Sequence, residues 1–188
     1  PVKVLAEIPK DKFIVGYTGT MGMANALEYL IEASVLLKAN QSIHFLMVGD
    51  GYLKESLVKQ VQENTNITFI SKINKNQVQE VLHYFDVCFI GRNNTPLFDY
   101  GVSSNKYFDY MLASKPVLES SNPIQSPAQL ANCGITVRPE SPEAIVEGIK
   151  KLQLLSTAAL YKFGENGYHY VVKNHNFECL SEKYSKLF

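Results

Sequence analysis

Two hydrophobic periods alternate along most of this chain, and that alternation leaves few architectures open. Short β-branched or aromatic runs lie at Phe13-Ile14-Val15-Gly16-Tyr17, Ile43-His44-Phe45-Leu46-Met47-Val48, Ile67-Thr68-Phe69-Ile70, Val87-Cys88-Phe89-Ile90, Pro116-Val117-Leu118 and Gly134-Ile135-Thr136-Val137. Between them the spacing turns helical. Leu27, Leu30, Ile31, Ser34 and Val35 share one helix face, and further helical stretches cover about 51–63, 75–84, 103–113 and 141–155. Near-continuous apolar strands separated by helices predict an α/β fold: a Rossmann-like, doubly wound parallel sheet of about six strands with helices on both faces. After residue 155 the pattern becomes consecutively helical, so 156–188 reads as a helical C-terminal extension. Gly164 and Gly167 are the expected breaks before a last amphipathic stretch from Phe177 to Leu187.

Ligands of doubly wound sheets bind beyond the carboxyl ends of the strands, which directs attention to the loops at 18–25, 49–52, 71–75, 91–106 and 119–127. A length of 188 residues suits a single domain with its own core. Lys plus Arg (18) equals Asp plus Glu (18), so no global field draws the chain to nucleic acid, and an anion must be held locally. Cys88, Cys133 and Cys179 are scattered, and the histidines form no ligand cluster, so neither a disulfide framework nor a metal site is expected. No run approaches the roughly 20 apolar residues of a membrane span. The opening Pro1-Val2-Lys3 lacks Met and is no secretory signal, and the chain reads as a processed or excised piece of a longer protein.

Several loops could carry chemistry. The first strand runs into Tyr17-Thr18-Gly19-Thr20-Met21-Gly22, where Gly19 and Thr20 would bring backbone amides to a phosphate ahead of a helix start. The glycine spacing fits neither the dinucleotide fingerprint nor a P-loop, and an ordinary strand-turn-helix junction explains it as well. Asp50, after the second strand, reads as a turn and N-cap residue rather than the ribose-binding acid that a Rossmann dehydrogenase carries at this strand end. The segment Gly101-Val102-Ser103-Ser104-Asn105-Lys106-Tyr107-Phe108-Asp109 says more. Ser103, Ser104 and Asn105 sit at a helix start where amides and hydroxyls can converge on a diphosphate, and Lys106 adds a charge. Asp109 is one turn beyond Asn105 on the same face, and its carboxylate could accept hydrogen bonds from a ribose diol. An N-capped amphipathic helix with solvated Lys106 and Asp109 is the plainer alternative. Arg92 could approach a ligand or lie in a mobile loop. His44, His83, His169 and His175 read as packed or surface residues, and no catalytic residue can be assigned.

In collinear order over about 13–185, Tyr17-Thr18-Gly19-Thr20, Val48-Gly49-Asp50-Gly51, Tyr84-Phe85-Asp86-Val87 and Ser104-Asn105-Lys106-Tyr107-Phe108-Asp109-Tyr110-Met111-Leu112-Ala113-Ser114-Lys115-Pro116-Val117 resemble the C-terminal, donor-binding domain of family 4 glycosyltransferases of GT-B fold. The last segment is closest to the subgroup that assembles bacterial surface polysaccharides. The resemblance implies transfer of a sugar, with retention, from a nucleoside-diphosphate sugar to a glycan or lipid-linked acceptor. A UDP-sugar is the expected donor, and no cofactor or metal is needed. It also implies an N-terminal acceptor domain absent from 1–188, and a cytoplasmic location, with peripheral attachment at the inner membrane an option for a full-length enzyme.

The family's Glu-x7-Glu motif falls on Gly101 and Asp109, so the ribose contact is kept and the acid at the donor sugar is lost. The Arg and Lys that usually hold the diphosphate fall on Thr20 and Asn25, which leaves Lys106, Ser103, Ser104, Asn105, Gly19, Thr20 and helix-end amides for that task. Ser71, Lys72 and Ile73 match the base-recognition loop, with an ordinary turn as the alternative, and Arg92 and Gly101 would approach the donor sugar. The losses also leave open a non-catalytic sugar-nucleotide-binding module or a GT-B-like epimerase. A dinucleotide-dependent oxidoreductase fits least.

Overall fold

A computed structural model describes residues 8–96, 98, 104–122 and 125–186. Gly101 and Ser103 lie outside them. All six expected strands form: β1 (Phe13–Thr18), β2 (Ile43–Val48), β3 (Ile67–Ile70), β4 (Val87–Gly91), β5 (Val117–Ser120) and β6 (Gly134–Val137). They join in one sheet in the order β3-β2-β1-β4-β5-β6, and every pairing is parallel. In β1 and β2 nearly every residue is buried, as expected of strands covered on both faces.

Helices α1 (Leu27–Leu36), α2 (Lys54–Gln60), α3 (Val78–Leu82), α4 (Asn105–Leu112), α5 (Pro127–Ala131), α6 (Pro142–Gln153), α7 (Thr157–Asn174) and α8 (Phe177–Ser185) complete the fold. Two apolar cores follow from the alternation of side chains along the strands. One joins Val15, Tyr17, Phe45 and Phe89 to Leu30 and Ile31 of α1, Leu57 of α2 and Ile149 of α6. The other joins Ile14, Leu46 and Ile90 to Val81 of α3, Tyr107, Tyr110 and Met111 of α4, Ala128 of α5 and Val171 of α7.

Two expectations need correction. Gly164 and Gly167 do not break the C-terminal extension, because α7 runs through both. A Cβ at Gly164 would collide with the Ser114 carbonyl oxygen, and one at Gly167 would press on Met111 and Cys133, so these glycines let α7 pack closely. Asp50 does not cap α2, whose N-cap is Leu53; its Oδ1 accepts from the Gly51 N–H at 3.0 Å and stabilises the turn instead. The five-residue α5 begins on the last residue of the loop expected at 119–127. Its helix start is a capping box, in which Ser126 Oγ accepts from Gln129 N–H while Gln129 Oε1 accepts from Ser126 N–H.

Candidate functional site

The loops leaving β1 and β2 continue the ladder of the strands. Gly19 N–H donates to the Val48 carbonyl at 2.9 Å, Met21 N–H to Asp50 at 2.8 Å and Leu53 N–H to Met21 at 3.2 Å. Gly49 makes this zipper possible. Its φ is +148°, and a Cβ there would collide with the Gly19 carbonyl oxygen.

Facing these loops is α4. Ser104 is its N-cap in extended conformation, with no side-chain capping bond, so its hydroxyl is not used in closing the helix end. The helix is seated by Tyr110, whose fully buried hydroxyl accepts from the Thr18 N–H at 3.0 Å, at the last residue of β1. With Tyr107, Tyr110 and Met111 inward, Asn105 and Asp109 are left on the opposite flank, four residues apart. They line a cleft of about 510 Å³ whose other walls are Thr18, Gly19 and Thr20 after β1 and Val48, Gly49 and Asp50 after β2. Lys72, Ile73, Lys75 and Val78 close it after β3. Burial raises the Asp109 carboxyl above its ordinary range, and the charge of Lys75 opposes that rise.

Lys106 leaves α4 one residue further round. Its Nζ donates to Asn25 Oδ1 at 2.8 Å, and Asn25 Nδ2 donates to the Thr20 carbonyl at 2.8 Å. The Tyr17 hydroxyl donates to the same carbonyl at 2.6 Å, and the ammonium lies 5.5 Å from the Tyr17 ring centroid. A Cβ at Gly19 would sit 3.5 Å from Lys106 Nζ, so the charge borders the cleft at Gly19. Burial, with a smaller push from the Arg92 charge, lowers the Lys106 ammonium to about 8.

Gly19, Thr20, Asn105, Asp109, Lys72 and Ile73 therefore come together around one cleft, and Lys106 adjoins it. Ser71 is engaged elsewhere: its Oγ accepts from Lys54 Nζ at 3.2 Å, which also donates to the Gly49 carbonyl. Arg92 is not in the cleft wall; its guanidinium lies 5.1 Å from the Phe98 ring centroid and 5.6 Å from that of Tyr107. His44 is buried, with Nε2 2.9 Å from Thr68 Oγ1, and burial lowers its pKa; His175 packs against the Phe108 ring.

Sequence reasoning missed Tyr110, Lys75 and the Lys106–Asn25 bond, which spans 81 positions. It also missed Glu119, a fully buried carboxylate that accepts from Tyr107 (2.5 Å), Ser121 (2.6 Å) and Ser126 (2.5 Å). A charged residue inside the run Val117-Leu118-Glu119-Ser120-Ser121 was the signal for it. Among the described residues no group of three His, Cys, Asp or Glu could hold a metal, and no helix is long and apolar enough to cross a membrane.

A six-stranded Rossmann-like sheet with a cleft beyond the carboxyl ends of β1, β2 and β3 defines a doubly wound α/β domain, and the cleft lies where ligands of that fold class bind. Residues 12–154 match the model of the family Glycosyl transferases group 1, and the chain belongs to that family. Its fold is similar to that of a mutant TarM from S. aureus in complex with fondaparinux, alpha-GlcNAc-glycerol and UDP (17% identity, TM-score 0.75, covering 96% of this chain and 36% of that one). It is also similar to Anabaena Alr3699/HepE in complex with UDP and glucose (13%, 0.76, 98% and 50%). A third likeness is to the C-terminal domain of LpcC, a glycosyl transferase group 1 family protein from Francisella tularensis (20%, 0.73, 92% and 90%). The chain thus spans between a third and a half of the TarM and HepE chains and most of the LpcC domain. No curated protein matches the sequence significantly.

Proposed function

We propose that this chain is the donor-binding, C-terminal half of a retaining, family 4-like glycosyltransferase. The donor is a nucleoside-diphosphate sugar, with UDP as the favoured nucleotide, and the acceptor is a glycan or lipid-linked glycan in bacterial surface polysaccharide assembly. A separate N-terminal domain would carry the acceptor and complete the catalytic environment. No cofactor or metal takes part, and the enzyme works in the cytoplasm or at its membrane face.

The observation that carries this reading is the placement of Asn105 and Asp109 on one flank of α4, across a cleft from the zipped loops of Gly19–Thr20 and Gly49–Asp50, with Lys106 at its border. The first-turn amides of α4 and the Lys106 ammonium would receive the diphosphate, and Asp109 would accept from the ribose hydroxyls. Lys72 and Ile73 border the same cleft where a base would lie. Lys106 also bears on the two uncharged positions, Thr20 and Asn25. Its ammonium reaches Asn25 from α4, so positive charge returns to that place from another element.

In transfer, the bond between the anomeric carbon and the diphosphate oxygen breaks and that oxygen keeps the electron pair, while the acceptor hydroxyl oxygen bonds the anomeric carbon and gives up its proton. Charge on the leaving diphosphate grows, and fixed amides with Lys106 stabilise it more than they stabilise the bound donor. The test is titration with UDP. Wild-type protein is expected to bind in the micromolar-to-millimolar range, with marked weakening in Lys106→Ala and Asp109→Ala; unchanged affinity in both variants removes the site. Sugar transfer by full-length protein, followed with a radiolabelled donor, separates a working enzyme from a non-catalytic binding module.

A further inference from the structure

The cleft accounts for Lys106 but not for the cation beside it. Arg92 follows β4 and is held in place from both directions. Its own N–H donates to the Ser120 carbonyl at 3.0 Å, and its guanidinium lies close to the rings of Phe98 and Tyr107. The segment around it is locked to the loop after β1. A Cβ at Gly91 would fall 2.6 Å from the Asn25 carbonyl oxygen, and Asn93 Nδ2 donates to the Met23 carbonyl at 3.1 Å. Arg92 therefore stands next to the loop whose Asn25 receives Lys106, and its charge is felt by that lysine.

Two cations share this corner, and among the described residues neither has an acid in contact. Among the described residues neither forms an ion pair, and the buried Arg92 Nε has no hydrogen-bond partner. The nearby carboxylate, Glu119, is spent on the hydroxyls of Tyr107, Ser121 and Ser126, with Tyr107 between it and the arginine. Bringing like charges together away from water without an acid between them is unfavourable, so the corner is built for an anion that arrives with the ligand.

We propose that Arg92 and Lys106 form a two-cation oxyanion site, in which Arg92 binds an anionic oxygen group of the donor beyond the one that Lys106 serves. The inference rests on the donor-site reading above. Guanidinium geometry suits a bidentate phosphate or carboxylate equally, so the group is either the second phosphate of the nucleotide or a carboxylate on the sugar itself.

Calorimetric titration of wild type, Arg92→Ala and Arg92→Gln with UMP, UDP, UDP-glucose and UDP-glucuronate tests this and tells the sources apart. Arg92→Gln removes the charge but keeps a polar side chain of intermediate length, and circular dichroism melts check that the variants are folded. A loss of roughly tenfold or more for UDP and both UDP-sugars, with UMP unaffected, assigns Arg92 to the second phosphate. The same loss for UDP-glucuronate alone assigns it to a sugar carboxylate. Folded Arg92→Gln that binds all four ligands like wild type, or that loses UMP as strongly as UDP, overturns the proposal and leaves the donor cleft standing. Wild-type protein that binds none of the four instead overturns the donor-site reading, and this inference with it.

Discussion

The two sides of the cleft are built from different materials. On the β1–β2 side the wall is largely backbone: Gly19, Gly49 and Asp50 are placed by main-chain hydrogen bonds, the Thr20 carbonyl is held by Tyr17 and Asn25, and the charge is that of the Asp50 carboxylate. On the α4 side the wall is side chain: Asn105, Asp109 and Lys106 project from a helix seated by buried tyrosines. The backbone wall has little freedom to vary without loss of fold, whereas the helix wall can change its charges while the fold persists. Positioning and electrostatics are thus separable in this domain, and substitutions on the two sides should fail in different ways.

The largest effect is expected at Gly49. Gly49→Ala places a Cβ against the Gly19 carbonyl oxygen and forces a side-chain-bearing residue to hold φ at +148°, in the left-handed half of backbone space. The zipper between the loops must open, so a loss of stability of at least about 3 kcal/mol is expected, with UDP binding lost alongside it. A thermal melt close to that of wild type would show that the backbone wall is more yielding than the comparison holds.

Lys106 should give the opposite signature. Lys106→Met keeps the stem and removes the charge, so UDP affinity should fall by about thirtyfold, in line with loss of charge-assisted hydrogen bonds. Stability should hold or rise. The sign follows from the lowered pKa: the unfolded chain keeps its lysine proton up to about 10.5, the native one only to about 8, so a charged Lys106 opposes folding at neutral pH. Allowing for solvent screening, its removal should stabilise by roughly 1 kcal/mol. Urea unfolding of both proteins, read beside their UDP isotherms, would refute the separation if binding and stability fell together.

The same lysine makes binding depend on pH with a smaller reach. Below about 8 the ammonium is present and UDP meets a charged site; above it the free protein must take up a proton to bind. Wild-type affinity should therefore fall about tenfold between pH 7.5 and 9.5, and Lys106→Met should show no such slope. In the same interval wild-type stability should rise, because the unfolded state binds more protons than the native one.

Which parts could be read from sequence follows the same division. The strands were legible because β1, β2 and β4 are apolar almost without interruption, and their order along the chain left little choice of sheet. Asn105 and Asp109 were legible because helical spacing alone puts residues four apart on one face. What escaped depends on chain segments far apart in sequence. Gly164 reads locally as a helix breaker, and only the approach of Ser114 explains it. Lys106 carries no sign that its partner is Asn25, and Glu119 looks out of place in its strand until the three hydroxyls around it are known.

The smallest effect is expected at the hinge between the two walls. Tyr110→Phe deletes the hydroxyl that receives the Thr18 N–H, which lies at the end of β1 and supports the turn into Gly19. The buried amide loses its partner while the ring still fills its place, so the cost should be about 1–2 kcal/mol, seen as a melting point several degrees lower. UDP affinity should change by less than about threefold, because no ligand contact is lost and α4 remains seated by Tyr107 and Met111. A large loss of UDP binding with little change in melting point would mean that the tyrosine sets the distance between the two walls, and that positioning resides in α4 as much as in the backbone opposite.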